Sequence, residues 1–412
     1  MTHANHLTHL HTPLGVRTLQ NSVAFCNRCG LCSTACPAYE TLRQETFSPR
    51  GHNQTLRLIF EGKLRPRSFR ASLEEIVRSC SLCGRCTQAC PGKIPTAEHM
   101  LELRRILNLN ILPGTLRAVM RWRAGKPRLF RVSMSVARGL QRAGLLRWGS
   151  MLPGFSWLKY ACEILPTKYQ TSFTPTDVEK PTLIYLPSLE AEFLHPQLAA
   201  QVYQKSAKKY RVRVWKNTPS GLFEYLYGDV RQSRKQLRRL ITLHKQTGKL
   251  PLLTDSFDVY RFLKQAPQLF EGFPQWQTEA VQFAKQVKFV TDLWPKTLKQ
   301  KSSVNSPVYF MPSVLFDAGS EPLLQIAEKL HTLFKKNFVQ CGYRDAAVAP
   351  AAYGFVCPRP AQKIALQAVE TLARHQVQTV FVPTGLSFLE LSALVRRFYP
   401  TVRVCHLVEL EG

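Results

Sequence analysis

Two short cysteine runs carry the clearest chemistry in the chain. Cys26, Cys29, Cys32 and Cys36 are followed by Pro37, and Cys80, Cys83, Cys86 and Cys90 by Pro91, so C-x2-C-x2-C-x3-C-P occurs twice, residue for residue. Thiolates are soft ligands for iron, and this is the spacing with which they hold [4Fe-4S] clusters. Three thiolates two residues apart on a tight turn each reach a different corner of one cubane. The fourth lies beyond the third, next to a proline, and in two-cluster chains it ligates the other cluster. The expected ligand sets are therefore crossed: Cys26, Cys29, Cys32 and Cys90 for one cluster, and Cys80, Cys83, Cys86 and Cys36 for the other.

Structural zinc and disulfides are the competing uses of cysteine. Zinc sites pair two C-x2-C knuckles and have no use for a third cysteine two residues on, nor for the trailing proline. Nothing near the N-terminus reads as a secretion signal, and most of the cysteines sit in the two runs, which argues against a disulfide framework. His3, His6, His9 and His11 lie in a stretch of about twenty residues expected to be flexible, and no function is attached to them.

The elements that must position the runs read as helices. From Ala38 to Ser79, Leu56, Ile59 and Phe60 and then Leu73, Ile76 and Val77 recur at helical spacing. Pro49, Arg50 and Gly51 read as a turn before the first of these helices. Residues 21–102 are thus expected to form a helical, ferredoxin-like domain with two clusters.

The stretch from Cys26 to Tyr39, then Ser48-Pro-Arg-Gly51, Glu61-Gly62 and the second run, resembles the iron-sulfur subunits of bacterial glycolate oxidase, lactate utilisation and anaerobic glycerol-3-phosphate dehydrogenase complexes, the glycolate oxidase subunit most of all. The resemblance implies an electron-transfer subunit that takes electrons from a separate FAD-containing dehydrogenase and passes them to a quinone or other membrane acceptor. It also implies small 2-hydroxy acids as the partner's substrates, glycolate first, lactate second and glycerol 3-phosphate third.

The 412-residue chain carries 56 Lys and Arg against 27 Asp and Glu, a formal charge of +29. Such an excess calls for an anionic partner. It is concentrated between Glu102 and Glu163, where no acidic residue occurs and Arg104, Arg105, Arg117, Arg121, Arg123, Lys126, Arg128, Arg131, Arg138, Arg142, Arg147 and Lys159 do. Phe130, Met134 and Ala137 share a helical face there, with Arg131, Arg138 and Arg142 on a separate stripe. Trp122, Trp148, Phe155 and Trp157 add large amphipathic rings. Residues 103–165 are therefore expected to be a basic amphipathic helical segment that contacts an anionic membrane surface. No run of about 18 apolar residues exists to span a bilayer. Nucleic acid is not expected as partner, since no RNP-like pattern or helix-turn-helix signature is present.

Beyond a Thr/Pro-rich linker at 166–181 the pattern alternates strands and helices. Strands are expected at Thr182–Leu186, Val212–Trp215 and Leu250–Thr254, with helices at Leu198–Lys209 and up to about Lys245. A second round has helices at Leu323–Lys335 and Ala361–Ala373, and strands ending in Phe310, at Phe338–Gln340 and at Thr379–Val382. Tyr185-Leu-Pro-Ser188 and Phe310-Met-Pro-Ser313 mark the repeat. The fold class expected is α+β multidomain: the helical two-cluster domain, then two related α/β halves at 182–300 and 301–412, with sites at strand C-termini and between the halves.

In the family this region carries two cysteine-rich CCG modules. Here Ser188, Ser220-Gly221, Ser256, Ser313 and Thr384-Gly385 stand where cysteines are expected, and only Cys341-Gly342 keeps part of the signature, so the halves read as degenerate CCG modules. Cys162, Cys357 and Cys405 read as small buried hydrophobes.

No nucleotide, flavin, nucleophile-elbow or zinc-protease motif occurs, so substrate oxidation is assigned to another chain. The expectation is a non-catalytic electron-transfer subunit, cytoplasmic and peripheral on the inner face of the membrane. The alternative is a cluster-bearing scaffold that organises a membrane redox complex without lying on its electron path.

Overall fold

The structure, a computed structural model, describes residues 7, 9–12, 15–107, 114–152, 155, 157–164, 173–176, 178–294, 306–312, 321–339 and 353–410. Cys341, Ser313 and half of the 166–181 linker lie outside the described residues.

The two cysteine runs are framed by α1 (Leu19–Ala24), α2 (Pro37–Leu42), α3 (Pro49–Phe60), α4 (Arg70–Ser79), α5 (Arg85–Ala89) and α6 (Thr96–Ile106). The apolar stripes expected on α3 and α4 form the core: Leu56, Leu73 and Val77 pack with Val23, Met100, Leu101 and Leu103 and are almost wholly excluded from water. Pro49, Arg50 and Gly51 differ from their reading as a turn, for they are the first turn of α3. Ser48 is the N-cap, its Oγ accepting from the Gly51 N–H at 2.9 Å, and Pro49 sits at the first helical position, where no N–H is needed.

The N-terminal arm also differs from expectation. Strands β1 (Leu10–Thr12) and β2 (Gly15–Arg17) pair antiparallel, Leu10 is buried in the core, and the Leu7 N–H donates to Glu102 Oε2 at 3.0 Å.

The basic segment forms α7 (Gly114–Gly125), α8 (Pro127–Arg142), α9 (Leu145–Gly149) and α10 (Trp157–Ile164). Its expected boundary at residue 103 falls inside α6. Arg104 and Arg105 are buried, so they do not belong to the cationic surface they were counted in. The face of Phe130, Met134 and Ala137 is turned inward, with Phe130 edge-on to Phe193 at 5.2 Å. The apolar residues that α8 exposes are Leu129, Val132, Val136 and Leu140, followed by Trp148 and Met151, which are 72% and 80% exposed. Trp157 is half-buried, its indole N–H donating to Thr115 at 2.9 Å. Among the described residues no helix is long and apolar enough to cross a membrane.

Two parallel four-stranded sheets follow. The first contains β3 (Leu183–Leu186), β4 (Val212–Val214), β5 (Leu252–Thr254) and β6 (Val287–Phe289), and the second β7 (Val308–Phe310), β8 (Phe338–Val339), β9 (Thr379–Val382) and β10 (Arg403–His406). Their orders, β4-β3-β5-β6 and β8-β7-β9-β10, are the same. Burial on both faces gives such strands their continuous apolar runs: in β3, Ile184 and Leu186 join the core shared with the cluster domain, while Leu183 and Tyr185 face a second core that reaches into the other sheet.

Helices α11 (Pro196–Ala207), α12 (Leu222–Leu226), α13 (Val230–Gln246), α14 (Phe257–Lys264), α15 (Ala266–Leu269) and α16 (Pro274–Gln286) belong to the first half. Helices α17 (Glu321–Phe334), α18 (Tyr353–Val356), α19 (Pro358–Arg374) and α20 (Gly385–Phe398) belong to the second. Strand C-termini of the two halves meet where the Phe257 N–H donates to Pro383 O at 3.0 Å.

Candidate iron-sulfur site

Each cysteine run folds into the same loop. Arg28 and Gly30 in the first, and Leu82 and Gly84 in the second, hold positive φ at matching positions, two and four residues after the leading cysteine. The first loop runs into a 3-10 turn (Leu31–Ala35) and the second into α5, and these two turns pack on each other. Alternation of left- and right-handed residues turns successive backbone N–H groups toward one concavity, a shape suited to an anion such as a thiolate-ligated cluster.

The thiols divide by mutual repulsion. Burial raises Cys32 to about 11, with charges on Cys26, Cys90 and Cys29 adding to it. Cys36 is pushed up by burial and by Cys83 and Cys80, and Cys86 by burial and then by Cys83, Cys80, Cys36 and Cys32. Cys90 thus lies near Cys32 of the first run, and Cys36 near Cys80, Cys83 and Cys86 of the second. Burial and mutual repulsion disfavour the thiolate at Cys32, Cys36 and Cys86, and a bound metal would supply the positive charge that deprotonates them. Among the described residues no three His, Cys, Asp or Glu groups converge closely enough to hold a single ion.

A second observation concerns the fit of clusters here. Ser33 Oγ and Thr87 Oγ1, each one residue after the third cysteine of its run, are buried without a hydrogen-bond partner. A hydroxyl so placed needs an acceptor, and cluster or thiolate sulfur at this position supplies one. The residues present fit two [4Fe-4S] clusters.

The surroundings were not foreseen from sequence. Arg104 is fully buried with no carboxylate bonded to it: its guanidinium donates to Cys80 O at 2.6 Å, Val77 O at 2.8 Å and Leu226 O at 2.8 Å. Burial lowers its pKa, and the negative charge nearest to offsetting this is Cys80. His99 is held neutral by burial, with a pKa near 3, and bridges Asn53 Oδ1 and Ser22 Oγ at 2.7 Å each. Arg105 pairs with Glu102 in the interior and lies over the Tyr225 ring at 4.3 Å, joining α6 to the first α/β half.

The second half is tied to the cluster domain too. Tyr353 OH donates to Ser79 O at 2.6 Å, Cys357 Sγ to Arg78 O at 3.2 Å, and Gln367 Nε2 to Glu40 Oε1 at 2.8 Å. Cys405 is buried in the core, as expected, whereas Cys162 and Cys357 are only half-buried.

The strand ends expected to face a site carry a different network. The Ser188 N–H donates to Asp255 Oδ1 at 2.8 Å and Tyr185 OH to Asp255 Oδ2 at 3.2 Å, and burial raises Asp255 to about 7. Ser256 is the N-cap residue of α14, and Thr384 caps α20, its Oγ1 accepting from the Ser387 N–H at 3.2 Å.

The doubled cysteine loops are those of a 4Fe-4S binding domain, and residues 22–94 match the 4Fe-4S dicluster domain family. Over this N-terminal stretch the chain is similar to the probable glycolate oxidase iron-sulfur subunit of Bacillus subtilis (strain 168), at 35% identity over 89 residues, which is 21% of this chain and 19% of that protein. Similar too are lactate utilization protein B of an Exiguobacterium species, 33% identical over 21% of this chain and 18% of its own length, and the glycolate oxidase iron-sulfur subunit of Escherichia coli (strain K12), 28% identical over 19% and 18%. The match spans about a fifth of these relatives' length. No solved structure matches the chain.

Proposed function

We propose that the chain is an electron-transfer subunit, relaying single electrons through two [4Fe-4S] clusters between a separate FAD-containing dehydrogenase and a membrane acceptor of quinone type. The observation that supports this reading is the doubled cysteine run, folded into two matching loops that pack on each other, with Cys90 beside the first run and Cys36 beside the second. Clusters held in one locked pair are suited to stepwise transfer, whereas substrate oxidation needs a hydride acceptor on the partner. By similarity to glycolate oxidase subunits, the partner's substrate is a small 2-hydroxy acid. The two halves beyond residue 182 are degenerate CCG modules kept for docking. The exposed apolar face of α8, with Lys126 and Arg142 exposed at its ends, attaches the protein to the inner face of an anionic membrane.

Anaerobic iron and sulfide analysis with EPR tests the reading. About eight irons per chain and spin-coupled signals are expected on reduction, with the reduced partner flavoprotein as donor. Clusters that assemble but are not reduced by that partner would instead support a scaffold.

A further inference from the structure

A cavity of about 270 Å³ lies between α7, α8 and α10 on one side and the two α/β halves on the other. Its walls are almost wholly apolar, with Trp122, Phe130, Trp157, Phe193, Tyr227 and Phe355 among them. The size is close to the lower end of the roughly 300–1,000 Å³ typical of small-molecule sites.

Three further features bear on what fits it. The cavity is joined to the second cysteine run: Tyr227 follows Leu226, whose carbonyl shares Arg104 with the Cys80 carbonyl, and Phe355 follows closely on Tyr353, whose hydroxyl bonds Ser79 O. Helix α8 alone separates it from the exposed face of Leu129, Val132 and Val136, while its own Phe130, Ser133, Met134 and Ala137 line the interior. Just behind the wall, Tyr160 OH donates to the buried Glu390 at 2.5 Å. The Tyr160 ring lies where a Cβ on residue 354 would come within 1.9 Å, so only Gly354 admits it. Burial raises Glu390 to about 8, which keeps a proton stored there at neutral pH.

We infer that this cavity binds the ring of a membrane-soluble quinone next to the cluster of Cys80, Cys83, Cys86 and Cys36. The inference rests on the electron-transfer reading and gives its acceptor a place. Reduction of the quinone consumes two electrons and two protons and turns two ring C=O groups into C–OH. The electrons arrive singly from clusters refilled by the partner's reduced flavin. The Tyr160–Glu390 pair stores one proton beside the site, and both protons are replaced from water. An apolar ring suits the walls, and a ligand dissolved in the bilayer reaches them past a single helix.

The test uses cluster-loaded protein and menadione, the naphthoquinone without a tail. Saturable quenching of tryptophan fluorescence is expected, together with reoxidation of dithionite-reduced clusters by menadione. Ala161→Phe, which fills the cavity from α10, should weaken binding by roughly tenfold or more and slow reoxidation by menadione, while ferricyanide reoxidises variant and wild type alike. Ala137→Phe fills the same space from α8 should the first variant not fold. Unsaturable quenching, or equal binding by both filled variants, overturns the inference. Clusters that reduce normally and respond to ferricyanide but not to menadione overturn this inference alone, whereas a wild-type protein that assembles no clusters overturns the electron-transfer reading with it.

Discussion

At the scale of single residues, the site is set as much by its neighbours as by its ligands. A cluster with four thiolates carries about two negative charges, and its potential follows nearby charge and hydrogen bonds. Arg104 brings a buried cation against Cys80, and Ser33 and Thr87 bring one unpaired hydroxyl to each loop. Replacing any of them removes stabilisation of the more negative, reduced cluster. Arg104→Met and Thr87→Val should therefore lower the potential of the cluster at Cys80, Cys83, Cys86 and Cys36 by tens of millivolts. Ser33→Ala should lower that of the other cluster. Redox titration followed by EPR reads both, and a shift of the same signal by Ser33→Ala and Thr87→Val would contradict the assignment of one hydroxyl to each cluster.

At the scale of elements, the Ser48-Pro-Arg-Gly51 stretch shows a motif explained by packing. Arg50 Nε donates to Glu45 Oε1 at 2.7 Å, and a Cβ on residue 51 would come within 2.1 Å of the Glu45 carbonyl. Gly51→Ala must push α3 off its N-terminal turn, with an expected loss of about 2–4 kcal/mol in denaturant unfolding, whereas Ser48→Ala should lose about 1 kcal/mol. Helix α8 makes the opposite prediction. Val132 and Val136 are exposed, so the double change to Asp should leave unfolding almost unaltered and sharply reduce co-sedimentation with phosphatidylserine-containing vesicles. Unchanged sedimentation would remove α8 from the membrane contact.

The elements also show what the sequence could and could not disclose. The cysteine spacing is local chemistry, and the periodicities of α3, α4, β3 and β9 are local patterns, so all were readable. Strands β6 and β10 are not legible, because Val287–Phe289 and Arg403–His406 are too mixed in polarity to stand out from the segments that flank them. The inward turn of Phe130 and the burial of Arg104 depend on what packs against them, which one helix's periodicity does not contain. In sequence, Arg104 is indistinguishable from the arginines that follow it.

At the scale of the whole molecule, buried titratable groups predict a stability optimum. His99 and His406 have folded pKa values depressed to about 3, so the stability they contribute is present above the unfolded value of 6.5 and is lost as pH falls from there toward 3. Glu390 and Asp255 are shifted the other way, to about 8 and about 7, by burial. A carboxyl raised above its unfolded value binds more protons folded than unfolded, so stability falls as pH rises from the unfolded value to the folded one. For Glu390 that window runs from 4.5 to about 8. His52 is depressed to about 3 as well, so three histidines outweigh the two carboxyls below 6.5 and the optimum is expected near pH 6.5. Glu390→Gln should gain on the wild type by a few kcal/mol between pH 5 and 8, measured by unfolding at both. A constant difference would show that the carboxyl is ionised in the folded protein.

The four carbonyl bonds around Arg104 link the loop of Cys80 to α12 of the first half. Without the cluster, that guanidinium is a dehydrated cation whose main counter-charge has gone. A chain lacking iron is therefore expected to hold α12 less firmly than a loaded one, which hydrogen exchange would read as faster exchange around Leu226 in the cluster-free protein.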